Sequence, residues 1–186
     1  MAEAEKHNVR LSKALSWLLR HNLHLVSEIS KKPVDSSGFV DVDAVLKLPR
    51  FAGYSQEQVE KVVELNDKQR FSLRKIDGKL QIRANQGHTV KEIEPDLVKL
   101  QEPFEVETVI HGTYEKNWKS IQEKGLSRMK RNHIHFAKGL PGEKGVISGM
   151  RHDCNVHIYV HLPTATKGNF SLLFFLKSLN LFYLPY

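Results

Sequence analysis

The first regular pattern along the chain is a set of apolar residues at helical spacing. Leu11, Ala14, Leu15 and Leu18 recur at intervals of three or four residues, as on one face of an amphipathic helix. This pattern predicts a helix over residues 9–20 that ends in Arg20-His21. Cations in a last helical turn complement the negative end of the helix dipole, so these two residues have a structural explanation as well as a functional one.

A second helix and a β-hairpin are predicted between residues 55 and 83. Ser55 and Gln58 have the spacing of a capping box at the start of a helix. Farther along, Asp77-Gly78 separates two runs in which apolar and polar residues alternate, which is a strong hairpin signal. Helices followed by a basic hairpin are typical of a winged helix.

The predicted hairpin is rich in arginine. Arg70, Arg74 and Arg83 would lie where the backbone of a nucleic acid could run. The alternative is that these cations are simply solvated on an open hairpin.

The second half of the chain has the pattern of a pocket-forming unit. Alternation over residues 104–110 predicts a strand, followed by His111-Gly112-Thr113, where glycine would allow a ligand to approach the backbone. A helix over residues 114–124 and a strand with His133 and His135 on one face follow. Because histidines and Arg131 accompany this unit, its ligand is expected to carry phosphate or a nucleotide. The alternative is that these are ordinary polar residues on an open sheet. A clean alternating strand is also predicted over residues 156–162.

The same histidines allow a different hypothesis. His133 and His135, together with His111 or His152, could form a zinc site with three histidine ligands. No carboxylate has a spacing that suggests a general base for a zinc hydrolase.

Charge and cysteine usage narrow the class of partner. Lys and Arg outnumber Asp and Glu by 28 to 21, giving a formal net charge of +7. This excess favours an anionic partner, with nucleic acid first and an anionic membrane surface second. Cys154 is the single cysteine, so an intramolecular disulfide is excluded and a reducing compartment, cytosol or nucleus, is expected. The polar first residues resemble neither a signal peptide nor a transit peptide.

The last stretch, residues 168–186, is almost wholly apolar. It is short for a membrane span and Lys177 lies near its middle, so no membrane association is expected. It lacks both the alternation and the turn residues of the preceding strands. We therefore expect it to form no regular closing strand and to lower solubility, stability and ligand affinity.

Five short motifs, in this order, together resemble the RNA (tRNA) 2′-phosphotransferases over roughly residues 9–162. They are Leu18-Leu19-Arg20-His21, Lys68-Gln69-Arg70-Phe71, Ile82-Arg83-Ala84-Asn85-Gln86-Gly87-His88, His111-Gly112-Thr113 and Arg131-Asn132-His133-Ile134-His135.

The resemblance implies an α+β protein with an N-terminal winged-helix-like RNA-binding lobe and a C-terminal ADP-ribosyltransferase-like lobe. It also implies transfer of the splice-junction 2′-phosphate of ligated tRNA to NAD, a co-substrate. In the first step the phosphate attacks the nicotinamide riboside carbon, and nicotinamide leaves. In the second step a ribose hydroxyl attacks the phosphate, and the products are 2′-OH tRNA, nicotinamide and ADP-ribose 1″,2″-cyclic phosphate. No metal is implied, and we expect a monomer.

The family's functional residues can be carried over by motif. The resemblance implies that Arg20, His21, Arg70 and Arg131 are catalytic, and we expect them to converge on one cleft. It further implies an NAD-binding role for His111, Gly112, Thr113, His133 and His135. Forked guanidinium donors suit a phosphate dianion that must be held in line for attack.

From about Pro163 the chain is expected to depart from the family. We accordingly expect an RNA-binding lobe over residues 1–95, an incomplete NAD-binding lobe over 103–167 and an aberrant tail over 168–186. The alternative function is that of a catalytically impaired RNA-binding variant of the family.

Overall fold

The computed structural model describes residues 2–66, 68–93, 97–99, 107–144, 146, 150–167, 173–175 and 181–185. The chain divides into two compact units, Met1–Pro95 and Asp96–Tyr186. Helices and antiparallel sheets are both present, so the predicted α+β class is confirmed. Within the described ranges, no helix is long and apolar enough to cross a membrane.

Helices dominate the first unit. It contains α1 (Ala2–His21), α2 (His24–Ser30), β1 (Val40–Asp41), α3 (Val42–Leu46), α4 (Gln56–Glu64), β2 (Phe71–Ile76) and β3 (Lys79–Ala84), with a short 3-10 turn at Pro49–Phe51.

The helix α1 is longer than predicted but buries the predicted face. It begins at Ala2. The negative charges of Glu3 and Glu5 in its first turn interact favourably with the positive end of the helix dipole. Leu11 and Leu15 are fully buried. They belong to a core that α1 shares with the other elements of this unit, including Val26, Val45, Phe51, Val59 and Ile82.

The predicted capping box at the start of α4 is present. The Gln58 N–H donates to Ser55 Oγ at 3.4 Å, and the Ser55 N–H donates to Gln58 Oε1 at 2.8 Å. Two backbone donors at the end of the helix are thereby satisfied.

The predicted hairpin is also confirmed. Asp77 and Gly78 both have positive φ, 50° and 75°, as a two-residue type I′ turn requires. The strands β2 and β3 pair antiparallel, and β1 pairs with the other edge of β3. The resulting sheet has the order β1-β3-β2, which makes β3 its central strand.

The second unit is built around a larger sheet. It contains β4 (Leu97–Lys99), β5 (Thr108–Thr113), α5 (Glu115–Lys124), β6 (His133–Ala137), β7 (Val156–His161), α6 (Leu162–Thr166), β8 (Leu173–Phe175) and β9 (Leu181–Pro185). The strands form an antiparallel sheet in the order β4-β8-β9-β6-β5-β7.

The strand β5 differs in one respect from the prediction. Residues 111–113 belong to the strand itself and pair with β7, whereas we expected them to follow the strand as a loop. The predicted residues 104–106 lie outside the described ranges. The strand predicted over residues 156–162 is β7, which ends at His161, and Leu162 is the first residue of α6.

The expectation that the tail contains no regular strand was wrong where the tail is described. Backbone pairing places β9 between β8 and β6, with Ile134 opposite Leu184 and Phe136 opposite Phe182. A short continuous apolar run is compatible with a strand even without alternation. The rest of residues 168–186 lies outside the described ranges.

A chain that ends at Lys167 would test the contribution of these last strands. It removes the backbone partner of β6 on one side, and an uncovered strand edge promotes association. We expect a lower melting temperature and faster heat-induced aggregation than in the full chain, measured by circular dichroism and light scattering. The control is a chain that lacks only Tyr186, which follows β9. Equal melting temperatures for the full and shortened chains would contradict the pairing.

Candidate active site

Arg70, immediately before β2, is a partly buried cation. Its side chain is half-buried, and desolvation lowers the pKa of its guanidinium. An arginine nevertheless remains protonated at neutral pH. In the described part of the chain no carboxylate pairs with this cation, and burial is the single cause of the shift. Burial and the nearby charge of Arg70 also lower the pKa of Lys68.

Asn66 is the side chain that contacts Arg70. Its Oδ1 accepts hydrogen bonds from the Arg70 backbone N–H at 3.1 Å and from Arg70 Nη1 at 3.4 Å. Its Nδ2 donates to Ser12 Oγ on α1 at 3.5 Å. Gln69 completes the turn, with a φ of 44° and an N–H that donates to the Asn66 carbonyl at 2.8 Å.

Asn85 holds the same segment from the other side. Only 2% of this residue is exposed. Its backbone N–H donates to the Arg70 carbonyl at 2.8 Å, and its Nδ2 donates to the Gln69 carbonyl at 2.7 Å. Its Oδ1 accepts from Ser72 Oγ at 2.6 Å, so both polar atoms of the buried amide are satisfied.

The residues after Asn85 contact the end of α1. The Thr89 N–H donates to the Arg20 carbonyl at 3.0 Å, and Thr89 Oγ1 lies 3.1 Å from His21 Nδ1. A Cβ built on Gly87, which has a φ of 82°, would lie 3.5 Å from Cδ, Nε and Cζ of Arg20. The segment 85–89 is therefore attached both to Arg70 and to Arg20-His21, residues that lie far apart in sequence.

Arg83 does not have the predicted exposure. It is 2% exposed, and its Cζ lies 4.7 Å from the centre of the Phe39 ring. Arg74 covers the same ring, with its Cζ at 3.9 Å. The prediction that Arg83 faces a nucleic-acid backbone was wrong, because this residue lies on the central strand beneath Phe39.

In the second unit, the fold of the sheet orients His111. Its Nδ1 lies 2.8 Å from the carbonyl oxygen of His135 on β6. Because a carbonyl can only accept, the proton of a neutral ring is on Nδ1 and Nε2 is left as an acceptor. The Phe136 ring meets the imidazole edge to face, with 5.8 Å between ring centres.

Gly112 is closely covered by protein atoms. A Cβ at this position would lie 2.7 Å from Cys154 Sγ, 2.7 Å from Met150 Cβ and 3.0 Å from Met150 Sδ. The absence of a side chain is thus required by these two residues, whereas we expected the space to admit a ligand.

Thr113 lies at a junction of polar contacts. Its side chain is buried and lies within hydrogen-bonding distance of Asn117 Nδ2, 3.3 Å from its Oγ1. Asn155 donates its N–H to the Thr113 carbonyl at 3.1 Å and accepts from the Glu115 N–H, the first residue of α5, at 3.0 Å. No local pattern around Asn155 indicates this role, because its partners Thr113 and Glu115 lie far away in sequence.

Arg131 and His133 lie at the start of β6. Arg131 is exposed, and its carbonyl accepts from Arg128 Nη1 at 2.7 Å. His133 is half-buried, and desolvation together with the charge of Arg128 lowers its pKa. His133 and His135 alternate with the buried Ile134 and Phe136, as predicted.

The structure does not support the alternative zinc site. Among the described residues, which include His111, His133, His135 and His152, no group of histidine, cysteine and carboxylate side chains could hold a metal ion.

Comparison with known proteins identifies the family. The sequence matches the model of the RNA 2′-phosphotransferase, Tpt1 / KptA family over residues 6–184, and the chain belongs to this family. The match continues through residues 163–184, so it does not support the expected departure from the family after Pro163.

Relatives from several organisms give the same assignment. The chain is 46% identical over 165 residues to tRNA 2′-phosphotransferase 1 of Danio rerio, covering 87% of this chain and 72% of the relative. It is 46% identical over 164 residues to tRNA 2′-phosphotransferase 1 of Mus musculus, covering 87% and 64%. The tRNA 2′-phosphotransferase of Saccharomyces cerevisiae is 38% identical over 192 residues, covering 98% and 80%.

The chain spans less than two thirds of some of these relatives. It covers 64% of the mouse protein and 42% of a Schizosaccharomyces pombe relative that is 43% identical over 159 residues.

The close packing around Gly112 predicts the effect of adding one methyl group. Gly112→Ala should lower the free energy of unfolding by about 1–3 kcal/mol, because Cys154 and Met150 must shift. Urea denaturation measures this change. Adding Cys154→Ala to the same chain should restore part of the loss. Unchanged stability in Gly112→Ala would show that the glycine serves a purpose other than packing.

The pKa of His133 predicts a dependence of stability on pH. Because its pKa in the folded state lies below the ordinary value of 6.5, the unfolded chain binds this proton more readily. The contribution of His133 to the free energy of unfolding is therefore complete above pH 6.5, where the ring is neutral in both states. It is lost as the pH falls below 6.5 and through the lower pKa of the folded state. An NMR titration should give a pKa below 6.5 that rises in Arg128→Gln and stays unchanged in the control Lys130→Gln. A pKa unaffected by Arg128→Gln would contradict the electrostatic cause.

Proposed function

We propose that this chain is an RNA 2′-phosphotransferase of tRNA splicing. It transfers the splice-junction 2′-phosphate of ligated tRNA to NAD and produces 2′-OH tRNA, nicotinamide and ADP-ribose 1″,2″-cyclic phosphate. The family match supports this reaction, and the names of the relatives agree with it. The observation that carries the proposal is the environment of Arg70.

The guanidinium of Arg70 suits a phosphate dianion. Arg70 is half-buried, so its guanidinium has lost part of its hydration, and no carboxylate of the described residues pairs with it. A phosphate on RNA would supply a counter-ion through charge-assisted hydrogen bonds, which are stronger than neutral ones. Lys68 adds positive potential beside the same group.

The other three catalytic assignments extend this role. Arg20 and His21 are attached through the segment 85–89 to the residues that hold Arg70. We assign them to the same phosphate, as donors that keep the nucleophile aligned. Arg131 is assigned to the second step, in which charge builds on the phosphoryl oxygens and a guanidinium stabilises it.

The residues of β5 fit an NAD site in part. The acceptor Nε2 of His111 suits a ribose hydroxyl, and the contact with His135 fixes the orientation of the ring. The side chain of Thr113 is buried in protein contacts, and the Cβ side of Gly112 is filled. The assignment of these two residues to NAD is carried over from the family motif. His133 and His135 are assigned to the same ligand. When bound, NAD supplies an activated ribosyl carbon as the acceptor of the phosphate.

The two units support a division of labour. The first unit, with its helices and three-stranded sheet, is proposed as the winged-helix-like RNA-binding lobe. The second, with its six-stranded sheet, is proposed as the ADP-ribosyltransferase-like lobe that binds NAD. A monomer located in cytosol or nucleus is part of the same proposal.

The direct test is a reaction of this chain with NAD and a short RNA that carries an internal 2′-phosphate. Release of nicotinamide and loss of the phosphate are expected, and the same RNA without the 2′-phosphate should give neither. Binding of both RNAs with no turnover would instead favour the alternative, a catalytically impaired RNA-binding member of the family.

Arg70→Ala should reduce kcat/KM for the phosphorylated RNA by about tenfold or more, because it removes a charge-assisted contact to the nucleophile. The matched control is Arg10→Ala, which removes an exposed arginine from α1. Steady-state assays measure both variants. Equal activity of Arg70→Ala and the control would remove Arg70 from the proposed site.

A further inference from the structure

We propose that Asn66 is a positioning residue that orients Arg70 while leaving its positive charge available to the substrate. This inference rests on the proposed function and assigns a role to a residue outside the family motifs quoted above. It comes from the contacts of the Asn66 amide.

Asn66 Oδ1 contacts both ends of Arg70. It accepts from the backbone N–H at 3.1 Å and from Nη1 of the guanidinium at 3.4 Å. In the part of the chain that the structure describes, this amide is the one side chain that hydrogen-bonds the Arg70 guanidinium. The side chain is thus folded back toward the turn that precedes it.

The amide is itself held in place. Its Nδ2 donates to Ser12 Oγ at 3.5 Å, which connects it to α1. Its carbonyl accepts from the Gln69 N–H at 2.8 Å, and its own N–H donates to the Val63 carbonyl at 3.3 Å, just beyond the end of α4. These contacts direct Oδ1 toward Arg70.

The backbone of Arg70 is anchored separately. The Asn85 N–H donates to the Arg70 carbonyl at 2.8 Å, and the Asn85 side chain donates to the Gln69 carbonyl at 2.7 Å. With the main chain fixed, the remaining freedom of Arg70 lies in its long side chain, and Asn66 restricts that freedom.

The Asn66 amide carries no charge, which distinguishes it from a carboxylate at the same position. A carboxylate at residue 66 could accept the same two hydrogen bonds, but it would also neutralise the guanidinium and compete with a phosphate. An amide oxygen gives direction without charge. This explains how the Arg70 side chain can be oriented although no carboxylate of the described residues pairs with it.

Two substitutions separate positioning from a purely structural role. Asn66→Asp retains an acceptor for both N–H groups and can accept from the Ser12 hydroxyl in place of the lost donation from Nδ2. Its melting temperature should therefore stay close to that of the unchanged chain. Its KM for 2′-phosphorylated RNA should rise by about tenfold, since an added charge competes for Arg70. Asn66→Ala removes the acceptor, and it should lower kcat as well as the melting temperature.

Binding without turnover provides an independent measurement. In the absence of NAD, affinities are compared for one RNA with and without its internal 2′-phosphate. The unchanged chain should prefer the phosphorylated RNA, and Asn66→Asp should lose most of this preference while retaining affinity for the other RNA. The matched control is Asn8→Asp, which adds the same charge to α1.

The outcomes distinguish the two proposals. If the unchanged chain shows neither turnover nor preference for the 2′-phosphate, the proposed function fails. If it shows both, and Asn66→Asp retains the full preference and the same KM, the role of Asn66 is overturned. A loss of preference in Asn8→Asp equal to that in Asn66→Asp would also overturn it, because the effect would then be one of net charge.

Discussion

In the first unit, the placement of Arg70 beside the end of α1 depends on one buried amide, that of Asn85. A buried polar side chain is costly unless its hydrogen bonds are made, and this amide makes them with Gln69 and Ser72. Its backbone N–H holds Arg70 at the same time. The chain then continues through Gly87 and Thr89 to the end of α1, so one short segment connects parts of the unit that are distant in sequence.

Electrostatics alone did not distinguish among the basic residues of the hairpin. Arg70, Arg74 and Arg83 have similar local patterns, and the net charge of +7 favours an anionic partner for all of them. Burial separates them, because Arg83 is enclosed beneath Phe39, whereas Arg70 is half-buried and pairs with no carboxylate among the described residues. A guanidinium that stacks on an aromatic ring serves packing, and one without a counter-ion suits a ligand.

The last strands show why alternation is an incomplete guide. The apolar residues of the tail, residues 168–186, do not alternate with polar ones, and the segment contains no turn signals. This pattern predicts no regular strand. Yet β9 has hydrogen-bonded neighbours on both sides, β8 and β6. Pairing satisfies the backbone groups of a strand whatever its side chains, so a continuous apolar run can join a sheet when the rest of the sheet provides a place for it.

Local sequence patterns are enough to predict the features that depend on neighbours a few residues apart. These are the buried face of α1, the capping box of Ser55 and Gln58, the Asp77-Gly78 turn and the alternation along β6. The other features arise only from contacts in the folded chain. They are the burial of Arg83, the residues that cover Gly112, the insertion of β9 and the anchoring by Asn85. Asn66 lies only four residues before Arg70, yet nothing in its local pattern shows which way its amide points. Local signals report periodicity and turn chemistry, whereas burial and side-chain partners arise from segments that meet only after the chain has folded.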